Sequence, residues 1–314
     1  MDRQDVRAFG DFRHRERKIK LQQLQAAQAK KKNDRREIKE GAPEALVIGV
    51  SSGLCLVAVE GEEPRWVRYM MPVAPGDMVS IENEAVSGIA PRRTTLSRKD
   101  PGNVHIDKVV AANIDLIVIV SAVDSPPFRP GLVDRYLLAA ARGGVTPILC
   151  LTKTDLGDTA MADNFRIPVV RYSKPTGKGL DELRDLLEGS TAVLVGQSGV
   201  GKSSLLNALA GEVRAKTGEI SEATGKGQHT TTASRLYELE NGARIIDTPG
   251  IREFGLGTIT LEEVQQAFPE FLDAGCRFRD CRHKEEPDCP VREAGGIRHS
   301  AYLRLLAEVE NSQA

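Results

Sequence analysis

The sequence predicts an α/β domain built on a parallel sheet, set between a small N-terminal β-barrel and a helical C-terminal module. Three observations lead there. From 103 to about 257, apolar strand-like runs alternate with helical stretches. Residues 42–95 carry short alternating runs broken by Gly, Pro and Asn. Cys276, Cys281 and Cys289, three of the chain's five cysteines, cluster within fourteen positions near the C-terminus. These features divide the 314 residues into a basic arm (1–41), a barrel (42–95), the α/β domain (96–257) and a helical metal-binding module (258–314).

The arm IKLQQLQAAQAKKKNDRREIKE favours helix by propensity but has little apolar surface to bury. Residues 1–40 hold 13 Lys/Arg against 7 Asp/Glu, whereas the remainder holds 30 against 37. A basic arm on an acidic body suits a polyanionic partner. The N-terminus has no apolar stretch behind its charges, so it does not read as a secretory signal. No apolar run reaches the roughly 18–20 residues that a membrane helix needs. The chain therefore reads as soluble, cytoplasmic and unattached to membrane.

The stretches LVIGVSSGLCLVAVEG, PRWVRYMM and GDMVSIENEAVSGIAPRR predict a five-strand OB-like barrel, with Trp66 in its core. RRTTLSRKDPG (92–102) reads as a polar, basic linker. DLIVIV, PILCLTK, IPVVRY, TAVLVG and RIIDTPG then read as strands. GLVDRYLLAAARGG, GLDELRDLLEG and GKSSLLNALAG read as helices between them. Cys55 and Cys150 lie in apolar runs and read as core residues.

The run Gly196-Gln197-Ser198-Gly199-Val200-Gly201-Lys202-Ser203 fits G-x-x-x-x-G-K-[ST] between a strand and a helix, with Ser204 behind it. Glycines let the backbone wrap so that successive N–H groups face phosphate oxygens. Lys202 is placed to meet the β- and γ-phosphates, and Ser203 to ligate Mg²⁺. Asp247 ends the strand RII, where an acid holds Mg²⁺ through water, and Gly250 can bring its N–H near the γ-phosphate.

Thr152-Lys153-Thr154-Asp155 ends another strand and resembles the [NT]-K-x-D motif of GTPases. Asp155 can accept from guanine N1–H and the exocyclic amine, a donor pair that adenine lacks. Lys153 can lie along the base face. Thr152 stands where Asn is usual, offering one hydroxyl in place of an amide. Ser173-Lys174 sits where GTPases carry their Ser-Ala-Lys loop.

The order of these motifs is rotated. Base-reading residues come first, then the P-loop, then DTPG. Such a rotation leaves a sheet intact because domain termini often lie close, and the chain resembles the circularly permuted GTPases. After the G domain comes Cys276-x4-Cys281-x-His283-x5-Cys289, three thiolates and an imidazole suited to one closed tetrahedral Zn²⁺ site. Barrel, permuted G domain and this cysteine spacing together are similar to the RsgA family of small-subunit ribosome biogenesis GTPases, over roughly residues 42–300. The stretches GKGQHTTT (225–232) and DTPGIREFGL (247–256) also look like that family's switch regions.

The resemblance implies a monomeric GTPase that binds the small ribosomal subunit and its rRNA. It would hydrolyse GTP to GDP and phosphate during late subunit maturation, with Mg²⁺ at the phosphates and one structural zinc. Thr231, among Thr230–Thr232, is the residue the resemblance favours as a switch I ligand to Mg²⁺. Ile251 follows DTPG where many GTPases place a water-orienting Gln, so hydrolysis is expected to be slow until a partner orders switch I. His229 is the nearest candidate to orient water or accept its proton, and as a solvated loop histidine it would do neither. Arg92, Arg93, Arg98, Lys99 and the arm suit phosphates. Switch II runs through 252–259 into the C-terminal module, so nucleotide state is expected to reposition that module. The competing functional class is an RNA-binding OB/zinc protein that uses GTP only as a sensor. An ATPase is the third reading, and Asp155 opposes it.

Overall fold

The computed structural model describes residues 45–100, 103–211, 234–247, 259–272 and 274–313. Valine dominates the barrel interior. Val47 of β1 (Ala45–Ser51), Cys55 and Val57 of β2 (Leu54–Ala58) and Val67 of β3 (Arg65–Arg68) point inward. Val79 of β4 (Met78–Glu82) and Val86 of β5 (Ala85–Ile89) complete the cluster. Pairing runs β1–β2–β3–β5–β4 and closes from β4 back to β1, with β3 and β5 parallel and every other pair antiparallel. That is the OB order. Asn83 and Glu84 turn β4 into β5 with φ values of 51° and 59°, the double positive-φ geometry of a tight hairpin.

Trp66 lies outside this interior. Side chains alternate across a strand, so a buried Val67 sends its neighbour outward, and Trp66 is 47% exposed. The expected core tryptophan is a surface residue.

The stretch read as a linker is half of a hairpin. β6 (Thr95–Asp100) pairs antiparallel with β7 (Asn103–Ala112) in a separate two-stranded sheet. Leu96 is fully buried, and it was the lone apolar residue in a polar run, too little to show a period. Arg92 and Arg93 are committed to carboxylates. Arg92 grips the buried Asp77 through two nitrogens at 2.7 and 2.8 Å and also donates to the Pro72 carbonyl. Arg93 pairs with Asp115 at 2.8 Å. Arg92 ties the end of the barrel to the loop before β4, Arg93 ties it to the start of the α/β domain, and both are engaged by carboxylates.

The α/β domain follows in sequence as β8 (Leu116–Ala122), α1 (Pro130–Gly143), β9 (Thr146–Thr152), a 3-10 turn (Ala160–Asn164), β10 (Val169–Arg171) and α2 (Leu180–Leu187). Then come β11 (Thr191–Val195), α3 (Lys202–Ala210), β12 (Ser234–Glu238) and β13 (Arg244–Asp247). The strand order is β10-β9-β8-β11-β13-β12, parallel except for β12. The chain steps outward from β8 to β10, then jumps back to lay β11 on the other side of β8. Ligands of such sheets bind where the order reverses, at the carboxyl ends of the strands. The jump places the P-loop strand at that point. β12 also pairs with β1 of the barrel, at Gly49↔Arg235 and Val50↔Ser234, giving one sheet of eleven strands.

The C-terminal helices are α4 (Leu261–Gln266), α5 (Pro269–Leu272), α6 (Pro290–Ala294) and α7 (Gly296–Gln313). α4 opens with a reciprocal cap between Thr260 and Glu263. Phe268, Tyr302, Leu305, Leu306 and Val309 belong to the same core as Val133, Tyr136 and Leu137 of α1. Ion pairs reinforce the seam. Arg142 reaches Glu263 at 2.5 and 2.8 Å, Arg135 reaches Glu308, and Arg298 reaches Asp134. These helices form a layer over α1. The stretch 248–258, on which the expected repositioning depended, lies outside the described residues, as does the arm. Among the described residues no helix is long and apolar enough to cross a membrane.

Candidate nucleotide site and metal centre

The loop after β11 turns on three glycines with positive φ, Gly196 at 146°, Gly199 at 82° and Gly201 at 96°. At Gly196 the backbone leaves no alternative, because a Cβ there would lie 2.1 Å from the Val120 carbonyl oxygen of β8. Only glycine combines that conformation with that approach. Gly201 then caps α3 without a side chain, leaving the first N–H groups of the helix facing the loop. Lys202 starts the helix, and its ammonium donates to the Gly196 and Gln197 carbonyls at 2.6 and 2.8 Å. The charge is thereby held over the loop. Ser203 is exposed and Val200 buried.

Thr152 and Asp155 arrive at the same edge from β9. The Thr152 hydroxyl donates to the Val200 carbonyl at 2.6 Å, joining the base-reading loop to the P-loop. Asp155 is exposed, and its Oδ1 accepts from the Ser173 hydroxyl at 2.8 Å. Ser173 is itself buried, with its N–H on the Lys178 carbonyl. The Thr154 N–H reaches the Tyr172 carbonyl at 3.4 Å, and Lys174 stands exposed next to Ser173. Asp247 ends β13 in register with Leu194, one strand over from the P-loop strand. One edge therefore gathers Thr152–Asp155, Ser173, Lys174, the loop from Gly196 to Ser204, and Asp247. His229, Thr231 and Gly250 lie outside the described residues.

Sequence reasoning missed the loop after β8. The Ser125 carbonyl accepts from the Lys153 ammonium, and Pro126 lies so close to the P-loop that a Cβ on Gly199 would be 3.6 Å from it. The available signal was position alone, since this loop leaves the carboxyl end of the strand beside the reversal point.

The metal centre draws on the loop before α6 and on the start of that helix. The ligand atoms of Cys276, Cys281, His283 and Cys289 all lie within 4.8 Å of one another. His283 Nδ1 is 3.4 Å from the sulfurs of Cys276 and Cys289 and 3.5 Å from that of Cys281. The Cys289 sulfur is 3.9 and 3.7 Å from those of Cys276 and Cys281. A tetrahedron with metal–sulfur bonds of about 2.3 Å has sulfur–sulfur edges near ~3.8 Å, so this group could hold a metal ion.

Local chemistry acts unequally on the four candidate ligands, favouring the ligating form of His283 and Cys289 and opposing it at Cys276 and Cys281. Burial holds the His283 imidazole below its ordinary pKa, which favours the neutral form that ligates a metal. Burial pushes the Cys276 thiol up to about 12. Cys289 goes the other way. Burial opposes the shift, but the Arg292 N–H, the neighbouring thiols and the Val291 N–H hold it below the usual thiol range. It is the N-cap of α6, where a thiolate is favoured. Outside the ligands, His299 Nε2 lies 2.7 Å from the His283 carbonyl oxygen, and Phe271 and Tyr302 pack edgewise on the His283 ring. The Glu286 carboxylate accepts the N–H groups of Arg282 and Lys284 at 2.8 Å each, fixing the loop between the ligands.

Metal removal should accordingly cost structure. Cys289→Ser is expected to bind the metal at least about a hundredfold more weakly and to lower the melting temperature by several degrees. Metal content after dialysis and thermal melts with and without chelator check this. Unchanged melting would mean that the metal does not brace the module.

Comparison with known proteins agrees with this geometry. Residues 89–257 match the family model described as RsgA GTPase. The "Small ribosomal subunit biogenesis GTPase RsgA" of Pseudomonas aeruginosa is 44% identical over 237 residues, covering 70% of this chain and 69% of that protein. The RsgA 1 protein of Vibrio vulnificus is 42% identical over 249 residues, covering 73% and 69%. Among solved structures, YjeQ from Thermotoga maritima matches with a TM-score of 0.64 and 27% identity over 84% of this chain and 97% of that one. YloQ, described as a circularly permuted GTPase, matches with a TM-score of 0.61 and 25% identity over 88% and 98%. With a family match across the P-loop domain and relatives above 40% identity along more than two thirds of their length, the chain belongs to the RsgA GTPase family.

Proposed function

We propose that the chain binds GTP with Mg²⁺ at the β8–β9–β11–β13 edge and hydrolyses it to GDP and phosphate on the small ribosomal subunit, late in that subunit's maturation. The observation that carries this is the joined pair of loops. An exposed carboxylate, Asp155, is steered by Ser173 next to a P-loop, on a frame that the Thr152–Val200 bond braces. Asp155 selects guanine. Lys202 and the N–H groups at the start of α3 neutralise the phosphates, Ser203 ligates Mg²⁺, and Asp247 holds the ion through water. His229 as water-orienting group and Thr231 as second protein ligand remain part of this proposal.

Zinc is the metal proposed for the Cys276–Cys281–His283–Cys289 centre. Three thiolates and an imidazole form a closed shell with no open position for a substrate, so its role is structural. For rRNA, the barrel offers Trp66 between Arg65 and Arg68, all exposed on β3. Trp66 and Arg68 share the outward face of the strand, and an aromatic ring beside a cation suits an unpaired base and its phosphate. The chain is proposed to act as a monomer in the cytoplasm.

Turnover should depend on the partner, because Ile251 cannot hydrogen-bond water. Phosphate release with GTP is expected to rise at least about tenfold on adding small subunits, and His229→Ala to lose most of that increase while retaining nucleotide binding. Equal rates with and without subunits would count against a partner-completed site.

A further inference from the structure

Guanine offers a protein three polar edges. N1–H and the exocyclic amine donate, O6 accepts, and N7 on the imidazole edge accepts. An acceptor needs a donor, and a purine N7 is read by Arg or Lys on guanine and by an Asn or Gln amide on adenine. In this chain the first position of the base-reading motif holds Thr152, whose hydroxyl has a single proton. Two carbonyl oxygens surround that hydroxyl, Val200 at 2.6 Å and Ser121 at 3.2 Å. The proton goes to Val200. Thr152 is 2% exposed, and its Oγ lies beneath the P-loop, where a Cβ on Gly201 would be 3.9 Å from it. The next cation in the motif is also engaged, since the Lys153 ammonium donates to the Ser125 carbonyl.

We propose that Thr152 is a positioning residue that braces the P-loop and takes no part in reading the base, so that the site is indifferent to guanine N7 and identifies the base through Asp155 on its opposite edge. The inference rests on the assignment of this edge as the GTP site. It separates two jobs in one motif. Asp155 supplies specificity, while Thr152 fixes the distance between the base-reading loop and the phosphate loop by satisfying a carbonyl that is buried with Val200.

The test compares GTP, 7-deaza-GTP and ATP by equilibrium titration of the full chain in Mg²⁺ buffer. 7-Deaza-GTP replaces N7 by C–H and leaves the other edges intact. Wild type is expected to bind GTP and 7-deaza-GTP within about twofold of each other. A loss of about tenfold or more for 7-deaza-GTP, with ATP still rejected, overturns the inference and leaves the GTP assignment standing. Failure to prefer GTP over ATP overturns the assignment itself. Thr152→Val keeps the shape of the side chain but removes the donor, leaving the Val200 carbonyl without its bond. It is expected to weaken GTP and 7-deaza-GTP equally, by about tenfold. A loss confined to GTP would show the hydroxyl on N7 and sink the proposal. Thr152→Asn, which introduces an amide, is expected to create a preference for GTP over 7-deaza-GTP of about fivefold or more.

Discussion

Asp155→Asn is expected to weaken GTP by at least about a hundredfold and to let xanthosine triphosphate bind in its place. The wild-type carboxylate can accept from both guanine N1–H and the exocyclic amine. Hydrogen bonds to a charged group contribute about 1.5–3 kcal/mol each, so taking the charge from one and turning the other donor to donor costs about 3 kcal/mol, which is about a hundredfold in affinity. The asparagine amide still accepts one bond, but its NH2 meets the amine donor to donor. Xanthine carries a carbonyl where guanine carries the amine, and the amide then pairs on both sides. Because the Ser173 hydroxyl only aims the Asp155 carboxylate, Ser173→Ala should move affinity by far less. Titration of both triphosphates against wild type and variant measures the exchange. A variant that keeps wild-type GTP affinity would remove Asp155 from the base site.

The second large effect belongs to Arg298. Its guanidinium lies between the rings of Phe165 and Phe268, 4.6 and 4.2 Å from their centroids, and pairs with Asp134 and with Glu270 at 2.8 Å. Asp134 is 2% exposed, and burial pushes its carboxyl above the ordinary value despite the neighbouring arginine. Removing one partner of a buried pair leaves an uncompensated charge, at a cost of about 3–5 kcal/mol. Arg298→Ala should therefore lower unfolding free energy by about that amount in urea. Asp134→Asn removes the stranded charge, so the double variant should recover part of the loss. A cost below about 1 kcal/mol would mean that α7 is held to α1 by apolar packing and the Arg135–Glu308 pair without help from Arg298. GTP affinity should change little, because the seam lies away from the P-loop.

Asp155, the P-loop and the Cys3His group were legible because each is a local pattern whose chemistry needs those residue types at that spacing. The five-strand barrel followed from alternation and the rotated G domain from motif order, whereas the strand pairing came from the structure. What the sequence hid was long-range pairing. Arg92 and Arg93 read as free cations because their acceptors, Asp77 and Asp115, lie 15 and 22 positions away. β6 read as a linker because only Leu96 marked its buried face. Trp66 read as core because size and apolarity outweighed a strand too short to show its phase. Asp134 gave no sign of burial, since its neutralising partner lies 164 positions later in the chain. The loop at Ser125 and Pro126 carries no motif and is placed only by the topology.

The pairing of β12 with β1 has a consequence for anyone who would cut this protein into parts. β12 is bonded on one side to the strand bearing Asp247 and on the other to the first strand of the barrel. A fragment beginning at the G domain would strip one flank of β12 and leave its backbone donors and acceptors facing solvent beside Arg235. Such a raw margin invites self-association with other copies. The barrel therefore serves as a hem, closing the margin of the sheet that the domain leaves open.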